Sequence, residues 1–178
     1  MSEEKKGLIH IYTGDGKGKT TACVGLTVRC AGSGRKVVFS QFLKDNKSSE
    51  LNILRNIDNI YIVTCDKSFG FIFNMSEEKK AEAKKAYSQH LLNVINKVKE
   101  VDADMVVFDE MIASYNYEMI DREVLLDFLK NKPEKLEVVM SGREPAEELV
   151  NLANYVSEIK KVKHPFDEGI PSRPGIEK

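Results

Sequence analysis

Cysteine and histidine are scarce, with three of each in 178 residues. Cys23, Cys30 and Cys65 are odd in number and lack C-x-x-C spacing, which excludes a disulfide framework and a cysteine zinc site and leaves reduced packing residues. His10, His90 and His164 show no metal-ligand spacing; His10 and His90 read as packing or surface residues. No apolar run approaches the roughly 20 residues of a membrane span, and the opening MSEEKKG is charged, so neither a membrane anchor nor a secretory leader is expected. Charge of one sign is also missing. The 27 basic and 28 acidic residues give a net charge of -1, too little to draw the chain to nucleic acid or an anionic membrane, so a polyanionic ligand must be held by a local site. There is no internal repeat or low-complexity block. A chain of this length buries roughly 70% of its unfolded surface without a disulfide or metal. A single soluble, cytoplasmic domain over residues 1–178 is expected.

What the chain does have is alternation. GLIHIYT at 7–13 is apolar and β-branched and runs into glycines, as a buried strand entering a tight loop should. Residues 19–31 carry apolar side chains at helical spacing, with Gly32 and Gly34 as a stop. Strands are predicted at 36–42 and 59–65, with a short helix near 51–56 between them. Ser76 caps a long amphipathic helix that ends near Glu100. The run Met105–Phe108, closed by Asp109 and Glu110, is a further strand. A helix at 121–130, a strand at 136–141, a helix opened by Pro145 and a strand-like stretch at 155–165 complete the order, before a Gly/Pro-bearing tail. Such alternation predicts an α/β fold, a three-layer α/β/α sandwich around a mainly parallel sheet.

The sharpest signal is TGDGKGKTT at 13–21, between a predicted strand and a predicted helix. Gly14, Gly16 and Gly18 let the backbone turn its amides towards phosphate, Lys19 brings a cation, and the helix start adds its dipole. Asp15, Lys17 and Thr21 belong to the same loop, and Thr20 is placed to ligate magnesium. The spacing is one residue shorter than the usual nucleotide loop, with Thr13 at the expected first glycine. The acidic counterpart is MVVFDE, which delivers Asp109 and Glu110 at the carboxyl edge of a buried strand, where ligands of open α/β sheets bind. In a regular strand the two carboxylates project to opposite sides, and a helix N-cap pair is the alternative reading. The aromatic segment DKSFGFIFN at 66–74 is unusual for a solvated loop, and its phenylalanines read equally as core anchors. On these grounds the chain is a Mg-nucleotide protein of P-loop type, and the fate of the nucleotide stays open.

TGDGKGKTTA at 13–22, QF at 41–42, GFIF at 70–73, VVFDE at 106–110, SGR at 141–143 and VKHPFDEGIPSRPGIE at 162–177 together resemble the bacterial ATP:corrinoid adenosyltransferases, in order and over nearly the whole chain. The resemblance implies a RecA-like P-loop fold and transfer of the 5'-deoxyadenosyl group of ATP to the Co(I) centre of a corrinoid such as cobalamin, with release of triphosphate. It implies that residues 14–20 cradle the triphosphate, and that Thr20 and Glu110, with Asp109 second, hold Mg2+. No general base is needed, because Co(I) is the nucleophile. An aromatic pair that displaces the lower cobalt ligand maps onto Phe71 and Phe73, with Phe at the second place where relatives commonly carry Trp. Arg143 is a candidate phosphate contact, and His164 matches a residue of the nucleotide or corrinoid pocket. The resemblance further implies a homodimer and a reduced flavin or flavodoxin as electron donor. Relatives often carry an extra helix before the first strand; here the chain is expected to start at the strand. Two other readings remain, a nucleotide-gated corrinoid- or partner-binding module and a conventional ATPase or small-molecule kinase.

Overall fold

The computed structural model describes residues 6–70 and 72–177. Six strands, β1 (Ile9–Thr13), β2 (Val37–Gln41), β3 (Ile60–Val63), β4 (Met105–Asp109), β5 (Glu137–Ser141) and β6 (Tyr155–Glu158), form one sheet in the order β3-β2-β4-β5-β1-β6. Every pairing is parallel. Parallel strands need crossovers and cover on both faces, which explains the continuous burial of VVFSQ in β2 and MVVFD in β4.

The helices are α1 (Lys19–Gly32), α2 (Glu50–Leu54), α3 (Glu77–Val101), α4 (Met111–Asn116), α5 (Arg122–Asn131) and α6 (Glu147–Leu152). On one face of the sheet, Cys23 and Cys30 of α1 and Leu51 and Leu54 of α2 pack with Val37, Phe39, Met105 and Val107. On the other, Tyr87, Leu91, Val94 and Val98 of α3 join Ile112, Leu125 and Leu129 over Ile11, Val38, Val106 and Phe108. This is the expected three-layer α/β/α sandwich. All three cysteines are buried and free, as packing residues should be. The Ser76 side chain accepts from the Lys79 amide and starts α3, where Glu77 and Glu78 complement the helix dipole.

Three boundaries differ from expectation. A short α4, not among the predicted helices, follows Glu110 directly. Pro145 lies two residues ahead of α6, which begins at Glu147 behind Ala146, so the proline directs the entry without being part of the first turn. The strand-like stretch 155–165 is a strand only over Tyr155–Glu158, because the amide of Ile159 pairs with Thr13 and its carbonyl with Gly16 before the chain leaves the sheet.

The topology sets the site. β5 lies between β1 and β4, so the loop leaving β1 and the carboxylates ending β4 face each other across the end of β5.

Candidate active site

The loop between β1 and α1 is shaped by a neighbour as well as by its own turns. Gly14 has φ +106, and a Cβ there would stand 2.3 Å from the Ile159 carbonyl oxygen; one on Gly16 would stand 2.7 Å from the same atom. The Gly16 amide donates to that carbonyl at 2.8 Å. Asp15 Oδ1 accepts from the Lys161 amide at 2.9 Å, a bond that holds its carboxyl below the usual range. Two glycines and the aspartate expected to serve phosphate therefore also clasp residues 159–161.

Lys19 donates from Nζ to the carbonyls of Gly14 (2.7 Å) and Gly16 (2.8 Å), which places its charge over the loop. Burial, and then repulsion from Arg143, lower its pKa. A cavity of about 290 Å³ opens beside it, lined by loop residues Asp15 to Thr21 and by Glu110, Arg143 and His164, with the C-terminal segment as its far wall. Gly14 lies behind this lining. His164 is fixed by accepting from the Phe166 amide at Nδ1, 3.1 Å, at the head of a single 3-10 turn, Pro165–Glu168.

Asp109 ends β4 with 0% exposure. Its Oδ1 accepts from Ser141 (2.7 Å) and Thr20 (3.0 Å), and its Oδ2 from Lys44 (2.7 Å) and Gln41 (3.1 Å). A carboxylate without exposure is tolerated when so bonded and paired with a cation. Glu110 departs from strand geometry: its backbone is left-handed, φ +61, with its amide donating to Ser141 Oγ at 3.0 Å. It occupies the N-cap position of α4, yet its side chain caps nothing there. The carboxyl points instead to the cavity that Lys19 and Arg143 line. Burial first, and the charge of Asp109 second, raise its pKa. Asp109, then, is the carboxylate in contact with Thr20, and Glu110 faces the cavity.

Four side chains around these residues were not singled out individually in the sequence, Ser141 being named only within SGR. Lys44 follows β2 at the sheet edge. Gln41, named there only within the QF pair, donates from Nε2 to both Glu50 (2.7 Å) and Asp109. Ser141 ties β5 to both acidic residues. Tyr117, after α4, meets Phe73 edge-on at 5.4 Å. A parallel strand's carboxyl end was the available signal for the first three.

The aromatic segment divides. Phe69 is buried against Tyr87, with ring centroids 5.6 Å apart, as a core anchor. Phe73 is 79% exposed. Phe71 lies outside the described residues. The cavity lined by Lys19, Glu110, Asn116, Tyr117 and Arg143 runs from the loop towards the Phe73–Tyr117 pair.

The chain matches the family model "ATP:corrinoid adenosyltransferase BtuR/CobO/CobP" over residues 5–177. It belongs to that family. A corrinoid adenosyltransferase of Escherichia coli K12 is 31% identical over 179 residues, 99% of this chain and 88% of the relative. The corrinoid adenosyltransferase CobA of Salmonella typhimurium LT2 is 32% identical, with the same coverage. A KaiC-like protein of Pyrococcus horikoshii superposes with a TM-score of 0.57 at 17% identity, over 89% of this chain and 75% of its own, a likeness of fold alone.

Proposed function

We propose that this chain transfers the 5'-deoxyadenosyl group of ATP to the Co(I) centre of a corrinoid, cobalamin or a precursor, in adenosylcobalamin biosynthesis or salvage. The reaction forms a Co–C bond at C5' and breaks the C5'–O bond, and triphosphate leaves with that bond's electron pair. The observation that carries the reading is a pair of cavities that share Lys19, Glu110 and Arg143, one lined by the phosphate loop and the other by Tyr117, the ring that the exposed Phe73 meets edge-on.

Each residue has a task in that step. Lys19 and Arg143 offset the charge that grows on the departing triphosphate, which is where fixed cations accelerate a reaction most. The amides of the loop and the start of α1 hold the phosphates in place. Glu110 and His164 wall the cavity and help exclude water. Co(I) supplies the electron pair, so no side chain must remove a proton.

The donor set fits magnesium. The Thr20 hydroxyl and the Asp109 carboxylate are 3.0 Å apart, hard oxygens of the kind magnesium takes. Close by, Gln41 Oε1 is buried without a partner among the described residues. Thr20 and Asp109 would hold the ion, with Glu110 the next carboxylate. When bound it would neutralise phosphate charge.

On the corrinoid side, Phe71 and Phe73 form the wedge that displaces the lower cobalt ligand and eases reduction of Co(II). The exposure of Phe73, which meets Tyr117 edge-on, suits a residue that meets a large planar substrate. Delivery of the electron by a reduced flavin or flavodoxin, a homodimeric state and a cytoplasmic location follow from the family resemblance and belong to the same proposal.

The test is an anaerobic incubation with Mg-ATP and chemically reduced cob(I)alamin, followed by the corrin spectrum. A light-sensitive alkylcobalamin is the expected product. Tight binding of both substrates with no Co–C product would favour a binding module instead.

A further inference from the structure

Both oxygens of Asp109 are saturated. A carboxylate offers about four lone-pair sites, and Ser141, Thr20, Gln41 and Lys44 occupy four. Thr20 belongs to the proposed metal site. Ser141 and Gln41 are buried and set in strands, so they cannot leave without breaking the sheet edge. Lys44 differs: its side chain is 25% exposed and sits on a loop. The preceding residue, Leu43, has φ +55, a left-handed conformation that non-glycine residues adopt at a cost, and this turn precedes the place where Lys44 reaches back over the end of β2. The ammonium lies 2.7 Å from Asp109 Oδ2 and 3.4 Å from Thr20 Oγ1, against the same two donors that fit magnesium.

A second carboxylate stands next to it. Glu50 Oε1 is 4.0 Å from Lys44 Nζ and shares the Gln41 amide nitrogen with Asp109. The Gln41 orientation is the one that turns NH2 rather than oxygen towards two carboxylates, so the spacing between them is held by a side chain with 3% exposure. An ammonium driven from Asp109 thus has a fixed acceptor within a small rotation.

We infer that Lys44 is a tethered cation that competes with the divalent metal for Asp109, and that Glu50 is the carboxylate to which it withdraws when the metal binds. Lys44 keeps the buried carboxylate neutralised before loading, and sets the metal affinity by the cost of its own displacement. The inference rests on the reading of Thr20 and Asp109 as metal donors.

Manganese(II) binding to the nucleotide-free protein, read by the EPR signal of the free ion, tests it without reference to turnover. Lys44→Met is expected to tighten binding about tenfold, since it removes a competing charge in contact with the ligand oxygen. Its thermal stability should fall without metal and recover on adding manganese. Glu50→Gln retains an acceptor for Gln41 but removes the charge that receives Lys44, and is expected to weaken binding about threefold. Unchanged or weaker binding in Lys44→Met overturns the inference; if that variant does not fold, unchanged or tighter binding in Glu50→Gln does so. Asp109→Asn separates the two levels. Loss of manganese binding there, with no gain in Lys44→Met, removes the role of Lys44 alone, whereas wild-type binding in Asp109→Asn removes the metal site and the inference together.

Discussion

The two halves of the proposed site are built to different standards. At the nucleotide half, Asp109 has no exposure and four donors, and Thr20, Ser141 and Gln41 are each tied to it from a different element. At the corrinoid half, Phe73 is 79% exposed and, among the described residues, has a single aromatic neighbour, Tyr117. The contrast follows from what each substrate demands. Triphosphate is compact and highly charged, so its counter-charges must be positioned beforehand and shielded from water. A corrinoid is a broad ring, and an exposed aromatic can meet its face only on a surface left open.

The strongest way to break this comparison is Lys19→Ala. A preorganised charge at the leaving group implies a loss of about 100-fold or more in rate from chemically reduced cob(I)alamin; a loss under about fivefold would mean that the nucleotide half is not preorganised around this cation.

The support beneath that half should show in acid. His90 is buried below β2 with Ser40 Oγ 2.8 Å from its Nε2, and burial lowers its pKa from 6.5 to about 4, against a smaller opposing effect of the Gln41 carbonyl. Since the fold favours the neutral ring, this stability is complete above pH 6.5 and is lost as pH falls towards 4. The loss should approach about 3 kcal/mol at the acid end. His90→Gln should flatten urea-derived stability across that window; an unchanged slope would show that the buried ring is not the acid-sensitive support.

Gly16→Ala comes next. Its Cβ would meet the Ile159 carbonyl at 2.7 Å, so residues 159–161 must shift, and about 2 kcal/mol of stability should be lost. Chemical denaturation measures it. A neutral substitution would show that the clasp contributes little to the loop.

The smallest effect, and the most informative about the corrinoid half, belongs to Phe73→Ala. Assays started from cob(II)alamin should fall about tenfold, equivalent to about 60 mV for one electron, while assays started from cob(I)alamin change little. Equal loss in both would remove the wedge role and leave Phe73 as a surface contact.

Much of this was legible before any coordinates. Strong apolar strands and the glycine-lysine-threonine loop located β1, β4 and the cradle, because burial on both faces and close backbone approach leave marks in composition. The partners of the cradle were not legible. Gly14 and Gly16 read as phosphate glycines, yet the atoms nearest them belong to Ile159 and Lys160, some 145 residues later, and pairing across that distance has no local signature. Lys44 carries no mark in the sequence; the turn at Leu43 brings it onto Asp109. The residues alone left the roles of Asp109 and Glu110 open, and only the resemblance put Glu110 first for the metal; the left-handed turn at Glu110 leaves Asp109 as the carboxylate that meets Thr20. The helix expectation at Pro145 missed by two residues, an ordinary boundary error.

The most direct test of the account is the phosphorus-31 spectrum of a completed anaerobic reaction containing the protein, Mg-ATP and cob(I)alamin. The account predicts inorganic triphosphate in amounts equal to the alkylcobalamin formed. ADP with orthophosphate, and no alkylcobalamin, would contradict it and make the loop a conventional phosphoryl-transfer site.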